Sequence, residues 1–483
     1  MQSRRGGLGT KNSGWHFGCA CHQPEVQHLT CRVAAALSRR GFLAGTSGSL
    51  TSLGLPGFAR AQSSELTKPI LFTNLRLFDG IGVNLRDGLQ VLVEGNRIAA
   101  LDIGSNPPPE NARIIDCGGR VLMPGLIDAH WHTMLAATPL PVLMTADVGY
   151  IHLSASAEAE RTLLRGFTTV RDMGGPSFAL KQAIDEKLVS GPRIFPSGAI
   201  ISQTAGHGDF RMRYDVPRTD TLTRTEVLGA SAIADGPDEV RRRTREQLML
   251  GASQIKLTAG GGVASLYDPL DATQFRPEEI RAATEAAADW GTYVTVHVYT
   301  PTGIRRCIEA GVRCIEHGQL TDEASVQIMV DKDVRWSLQP FTETTDVNVY
   351  SGEEQRAKQR MVWEGTDRAY GLAIKHKVKI GWGTDILFDP KAPARQGAML
   401  ASMGRWYTPS QVLKMATSGN AEILAMSGLR SPYSRKLGVI EKDAYADLLV
   451  VDGDPTTDLG ILSDPAKGLR LVMKDGLIYK YLL

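Results

Sequence analysis

The sequence predicts an α/β protein: a (β/α)8 TIM-type barrel with a small β-sandwich domain built from both chain ends. Three observations lead there. Short strand-like runs with turn signals occupy both ends of the chain once residues 1–61 are set aside. Between them, β-branched runs alternate with helical stretches rich in Arg, Glu and Ala, the pattern of repeated βα units and a parallel sheet. Eight such β runs can be placed in order, the number a closed barrel needs. With 483 residues, 42% of them apolar and 22% charged, the chain can bury a large core and fill a second domain as well.

Residues 1–61 read as a leader. They carry seven Lys/Arg (Arg4, Arg5, Lys11, Arg32, Arg39, Arg40, Arg60) against a single acid, Glu25. Ser38-Arg39-Arg40-Gly41-Phe42-Leu43 precedes a mildly apolar Gly/Ser-rich stretch from Ala44 to Phe58, and Ala59-Arg60-Ala61 offers the small residues of a cleavage site. This resembles a twin-arginine export signal, and the expectation is a periplasmic or secreted protein. The apolar part, interrupted by Gly45, Gly48, Gly54 and Pro56, is too short for a stable span and reads as removable. Loss of the leader turns a formal charge of +2 into about −4, with 47 basic against 51 acidic residues. Such a surface argues against a nucleic-acid partner, and no membrane partner is expected after leader removal. Cys117, Cys307 and Cys314 would remain, an odd number without metal-type spacing in a chain too large to need disulfide staples.

From Ile70 to Val121 come short alternating runs: Ile70-Leu71-Phe72, then Leu75-Arg76-Leu77-Phe78 before Asp79-Gly80, then Gln90-Val91-Leu92-Val93 before Glu94-Gly95-Asn96. The same texture returns in Gly438-Val439-Ile440, in Ala446 to Val451, and from Leu471 to Tyr479. The expected organisation is residues 62–121 and 436–483 forming the sandwich around a barrel at 122–435. The eight barrel strands fall at Val121 to His132, Phe167 to Asp172, Arg193 to Ser202, Gln254 to Thr258, Tyr293 to Tyr299, Cys314 to Gly318, Arg335 to Gln339 and Val378 to Asp385. Pro237 to Leu250 and Pro277 to Trp290 are examples of the helices between them.

In Asp128-Ala129-His130-Trp131-His132 the two histidines fall on one face of an extended strand, so they can chelate one metal ion. Alone the pair is a weak signal, since isolated histidines are commonly structural. Four further residues change the balance. Lys256 in Gln254-Ile255-Lys256-Leu257, His297 in Val294-Thr295-Val296-His297, His317 in Ile315-Glu316-His317-Gly318 and Asp385 in Trp382-Gly383-Thr384-Asp385 each close a strand candidate. Barrel enzymes place their catalytic groups there.

His-x-His on strand one, Lys on four, His on five, His on six and Asp on eight resembles the amidohydrolase superfamily, in its binuclear-metal branch. The resemblance runs from about residue 68 to the C-terminus and includes the lead-in Met123-Pro124-Gly125-Leu126-Ile127-Asp128. Gly206-His207-Gly208-Asp209 and His297-Val298-Tyr299-Thr300-Pro301 are most similar to imidazolonepropionase-like proteins, prolidase-type dipeptidases and ochratoxin-hydrolysing amidases. The resemblance implies two divalent ions, zinc by default. His130, His132 and Asp385 would hold one, and His297 and His317 the other. Lys256 as N6-carboxylysine would bridge them, because an ammonium beside two dications is strongly disfavoured. It further implies a metal-bridging hydroxide as nucleophile, Asp385 carrying the proton to the leaving amine, and a homo-oligomer, with an octamer as one arrangement.

The expected substrate is a small molecule, a dipeptide or N-acyl amino acid with a free C-terminal carboxylate. Tyr299, two residues beyond His297, shares its face and offers a hydroxyl to the substrate, where the related tyrosine of dipeptidases contacts a carboxylate; a core tyrosine is the alternative. His207, between glycines in a loop, is expected to touch substrate. His152 and His376 read as structural or solvated. Gly260-Gly261-Gly262 lacks a following Gly-Lys-Ser/Thr and signals close backbone approach rather than a phosphate loop. The rivals are a mononuclear deaminase or imidazolone hydrolase, against which Lys256 counts, and a catalytically silent interaction protein, against which the complete ligand set counts. The segment from Gly206 to Gly236 shows no pattern.

Overall fold

The structure, a computed structural model, describes residues 68–483 apart from 105–106, 218–220, 349 and 351. Arg39, Arg40 and the cleavage site at 59–61 therefore lie outside the described residues. Four strands come first: β1 (Ile70–Leu77), β2 (Val91–Glu94), β3 (Arg97–Leu101) and β4 (Arg113–Pro124). Ten follow: β5 (Leu126–Trp131), β6 (Phe167–Asp172), β7 (Arg193–Phe195), β8 (Ile200–Ser202), β9 (Ser231–Ile233), β10 (Ile255–Thr258), β11 (Val294–Val298), β12 (Cys314–His317), β13 (Arg335–Leu338) and β14 (Ile380–Trp382). β15 (Leu448–Val451), β16 (Leu469–Lys474) and β17 (Leu477–Tyr481) close the chain. Among the described residues no helix is long and apolar enough to cross a membrane.

Strands from the two chain ends join in one seven-stranded sheet, ordered β17-β16-β15-β4-β1-β2-β3. β4 is the seam: it runs parallel to β1 and antiparallel to β15, with Leu122 opposite Val450. Strand alternation divides its buried end between two cores. Leu122 packs with Phe72, Val91, Leu448 and Met473, while Val121 and Met123 join the central core with Leu126 and Trp131. The expected first barrel strand, Val121 to His132, is therefore two elements. Pro124 brings no N–H to extend the ladder, β4 ends there, and Gly125, where a Cβ would run into Thr168, allows the close approach to β6 with which β5 starts at Leu126.

The remaining strands are parallel and lie in two sheets, β14-β13-β12-β11-β10-β8-β9 and β5-β6-β7. The protein is thus α/β with parallel sheets, as its pattern predicts. The run Arg193 to Ser202 is likewise broken. Pro196 and Gly198, the latter at φ +74°, interrupt it, so that β7 pairs with β6 while β8 pairs with β10. At the far edge, the Asp385 N–H donates to the His130 carbonyl at 2.8 Å, which sets the end of β14 against β5. Gly383 permits this approach, since a Cβ there would meet the His130 backbone.

The helices obey ordinary end rules. Pro237–Leu250 starts with Pro and two acids, Asp238 and Glu239, and stops at Gly251 in the left-handed region, φ +101°. Val240, Thr244, Gln247 and Leu248, three or four residues apart, form its buried face. The segment 206–236 contains β9, which the sequence did not announce; three residues are too few for a period, and only pairing with β8 makes them a strand.

Candidate active site

All eight residues singled out as catalytic or metal-binding line one cavity: His130, His132, His207, Lys256, His297, Tyr299, His317 and Asp385. The strands explain why. His130 lies on β5, Lys256 on β10, His297 on β11 and His317 at the end of β12, in register with Val298 of β11. Ring centroids lie 5.4 Å apart for His130 and His132, 5.0 Å for His130 and His317, and 4.4 Å for His317 and His297. His317 and Asp385 sit at φ +71° and +52°, conformations that side chains rarely adopt and that cluster at functional sites.

The donor set fits a cation. His132 Nε2 is 3.0 Å and His130 Nε2 3.2 Å from the same Asp385 oxygen. His130 Nε2 has no solvent contact and is too poorly aligned to hydrogen-bond, so it is a buried orphan. Ligand atoms of His130, His132 and Asp385 lie within 4.8 Å of one another and could hold a metal ion. The charges agree. Burial opposes protonation of His130, but Asp385 and Glu316 together outweigh it and raise its pKa, whereas at His132 burial prevails and lowers it. Burial likewise pushes Asp385 up, yet His130 and His132 hold its carboxyl well below the usual range.

Partners behind the ligands fix which nitrogen is free. His130 Nδ1 meets Glu316 Oε2 at 2.8 Å and His317 Nδ1 meets Gln339 Oε1 at 2.8 Å; in each the Nδ1–H is tied back and Nε2 left bare. His297 is reversed, its Nε2 lying 3.2 Å from the Gly261 carbonyl, which leaves Nδ1 bare. Glu316 is itself held by Arg171 Nη2 at 2.6 Å. Asp128 joins the two edges, accepting from His130 N at 3.0 Å and Thr384 Oγ1 at 2.7 Å, and burial lifts its carboxyl to about 6. Lys256 is buried among these groups, and burial depresses its pKa despite Glu316 and Asp385.

His207 is half-buried rather than exposed. Its ring stacks on His297 at 4.0 Å, and its Nδ1 lies 2.8 Å from Ser265 Oγ and 3.6 Å from Asp268. A Cβ at Gly262 would strike that ring, so the glycine run is close approach, as expected. Lys358 Nζ holds the same loop through the carbonyls of Gly262, Ser265 and Asp268. Tyr299 is 3% exposed, T-shaped to His297 and stacked on His317. Among the described residues its hydroxyl has no hydrogen-bond partner, and burial, with Asp385 next, raises its pKa well above 10. His152 and His376 are outside the cavity, the first bonded to the Val148 carbonyl and the second to Glu323. Cys117, Cys307 and Cys314 are free and buried.

Sequence reasoning passed over Glu316, Gln339, Arg171 and a loop carrying Asp346, Asn348 and Tyr350, the last three also lining the cavity. For Glu316 the signal was adjacency to His317; strand alternation argued against it. The chain leaves the extended conformation at His317, so two consecutive side chains both reach His130.

Imidazoles and a carboxylate converging on one buried point of a parallel α/β fold suit metal-assisted hydrolysis. Residues 121–478 match the Amidohydrolase family, and the chain belongs to that family, whose members generally use metal ions. Ochratoxinase of Aspergillus niger is 30% identical over 442 residues, 87% of this chain and 88% of the relative. A prolidase solved with N-methylphosphonate-L-proline is 34% identical with a TM-score of 0.78, covering 86% of this chain and 100% of that one. A Xaa-Pro dipeptidase with methionine bound in its active site is 28% identical at TM-score 0.74, with coverages of 86% and 100%. The protein is a hydrolase of amide-type bonds.

Proposed function

We propose that the mature protein is a binuclear metal-dependent amidohydrolase that removes the C-terminal residue from a dipeptide or N-acyl amino acid bearing a free carboxylate. The observation that carries this reading is the single cavity shared by His130, His132, Lys256, His297, His317 and Asp385, with the unpaired Tyr299 hydroxyl beside them. The prolidase and dipeptidase relatives support the substrate class. The reading takes β5–β14 as one closed (β/α)8 barrel at 122–435, with β7 and β8 one interrupted strand, and residues 62–121 and 436–483 as a β-sandwich.

His130, His132 and Asp385 would hold one ion and His297 and His317 the other, with Lys256 carboxylated between them. Bound divalent ions, zinc by default, activate a water and polarise the scissile carbonyl. The chain's own residues do the rest. Asp385, kept ionised, accepts a proton from the attacking water and passes it to the leaving amine. Glu316 and Gln339 lock the imidazole orientations, so little reorganisation is left to the reaction. Tyr299 donates to the substrate carboxylate, and His207 walls the cavity above His297.

Elemental analysis of active enzyme should find about two divalent ions per chain; one ion or none would overturn the binuclear reading. A panel of Xaa-Pro dipeptides and N-acyl amino acids should contain substrates. The same proposal has the protein exported through Arg39 and Arg40 and assembled as a homo-oligomer. Changing both arginines to Lys should retain the protein in the cytoplasm on fractionation.

A further inference from the structure

We infer that Asp346 and Asn348 form the subsite for a free α-ammonium group, so that the enzyme selects unblocked dipeptides over N-acylated amino acids. The inference rests on the proposed function and narrows its substrate class.

The cavity gathers acceptors at one place for which the chain supplies too few donors. Asp346 Oδ2 accepts from Gln359 Nε2 at 2.8 Å and from Trp363 Nε1 at 3.0 Å, and Oδ1 from the Asn348 N–H at 3.0 Å. Gln359 Nε2 also donates to the Asn348 carbonyl at 2.9 Å, which fixes its amide orientation. Every partner of Asp346 is therefore an N–H donor and its lone pairs are not exhausted, while burial raises its carboxyl pKa against those donors, a cost that an added cation would offset. It has no cationic partner: no Lys or Arg forms an ion pair with it among the described residues. Beside it, Asn348 Oδ1 has lost solvent contact and accepts nothing. A carboxylate without a counter-ion and an orphaned amide oxygen in one half-buried patch await a cationic donor.

Both residues line the same cavity as the ligand histidines, Tyr299 and Asp385. In a dipeptide the α-nitrogen is two bonds from the scissile carbon, about 2.5 Å away, so an ammonium must fall within the cavity whenever the carbonyl is in place. Acylation would replace that cation with a neutral amide and bring added bulk against the acceptors. The alternative is that Asp346 merely ties residues 346–348 to the helix Glu353–His376. That role explains its three hydrogen bonds but leaves Asn348 Oδ1 buried and unpaired.

The experiment compares kcat/KM of metal-loaded enzyme on Ala-Pro and Ala-Met with their N-acetyl forms, which keep the same scissile bond. Wild type should prefer the free amine, and Asp346→Asn should shrink that preference roughly ten- to hundredfold, mainly through KM on the unblocked substrate. Asn348→Ala, which leaves every bond to Asp346 intact, should shift the ratio in the same direction by less and guards against a variant that misfolds. Equal rates on free and acetylated substrates in wild type would overturn the subsite. So would variants that lose activity on both forms with an unchanged ratio. If wild type cleaves neither pair yet hydrolyses a cyclic amide, the proposed function falls first and the subsite with it.

Discussion

The cavity has two unlike walls. One is made of strands, near their ends except at Lys256: His130, Lys256, His297 and His317 stand on β5, β10, β11 and β12, whose neighbours are tied by parallel ladders and by Glu316, Arg171 and Asp128 behind them. The other is made of loops, with His207 from residues 206–236 and Asp346, Asn348 and Tyr350 from the stretch after β13; no strand ladder carries them, and they are held by side-chain hydrogen bonds to Ser265, Gln359 and Trp363. The difference separates tasks. Groups that perform chemistry must be held in fixed geometry, whereas groups that choose a substrate can sit where sequence change costs the fold least.

Lys256→Ala attacks the strand-end wall directly and carries the largest expected effect. If the lysine bridges two ions, turnover should fall on the order of a thousandfold or more, with metal content falling alongside. A short-chain carboxylic acid should restore part of the activity. Lys256→Arg should not rescue, because guanidinium stays protonated and cannot take up CO2. Near-normal turnover with two bound metals in the alanine variant would make the lysine a bystander and favour the mononuclear alternative.

The same division explains what was legible in the sequence. His130 and His132 were visible because a strand repeats every two residues, and His297, His317 and Asp385 because each lies near or just past the end of an apolar run, whereas Lys256, expected to close its strand, is the second of the four residues of β10 and was marked by its place in the ligand order. The succession of parallel units and the coming together of strands from both chain ends were visible for the same reason, but not that the C-terminal strands pair with Val121 to Pro124 of β4. Asp346 and Asn348 were not, since a loop has no period and their meaning lies in what stands beside them in space. Even in the strand wall the rule has an edge: Glu316 was hidden by an alternation that His317, at φ +71°, breaks. Val121 to Pro124 looked like barrel because buried strands in either sheet read as the same apolar run.

Tyr299 tests where one wall gives way to the other, and its effect should be intermediate. It lies one residue beyond β11, fixed by its rings against His297 and His317, with its hydroxyl free. Tyr299→Phe should keep both metals and lose roughly ten- to hundredfold in efficiency on substrates with a free carboxylate, a charged hydrogen-bond partner. Esterified or amidated substrates should suffer much less. Equal losses on both would move the hydroxyl to the developing oxyanion and assign Tyr299 to the chemical wall.

The smallest expected effect concerns stability and asks whether the strand-end wall is stiffened by buried carboxyls as well as by ladders. Asp172, at the end of β6, accepts from the Thr133 N–H at 2.7 Å and from Ser177 Oγ at 2.8 Å, tying down the residue next to His132. Burial raises its pKa from 3.8 to about 7, more than these hydrogen bonds lower it. The folded protein thus holds this proton more tightly than the unfolded chain. The resulting stabilisation is fully present below about pH 4 and is lost as pH rises through about 7, a change on the order of a few kcal/mol. Asp172→Asn fits the site, because its amide oxygen can still accept from Thr133 while its NH2 faces the Ser177 hydroxyl, and it cannot ionise. Denaturant unfolding of both proteins between pH 4 and 8 should show the wild type losing stability relative to the variant as pH rises. Parallel pH profiles would mean that Asp172 is already ionised at pH 4 in the fold, and that ladder pairing and packing alone hold this wall.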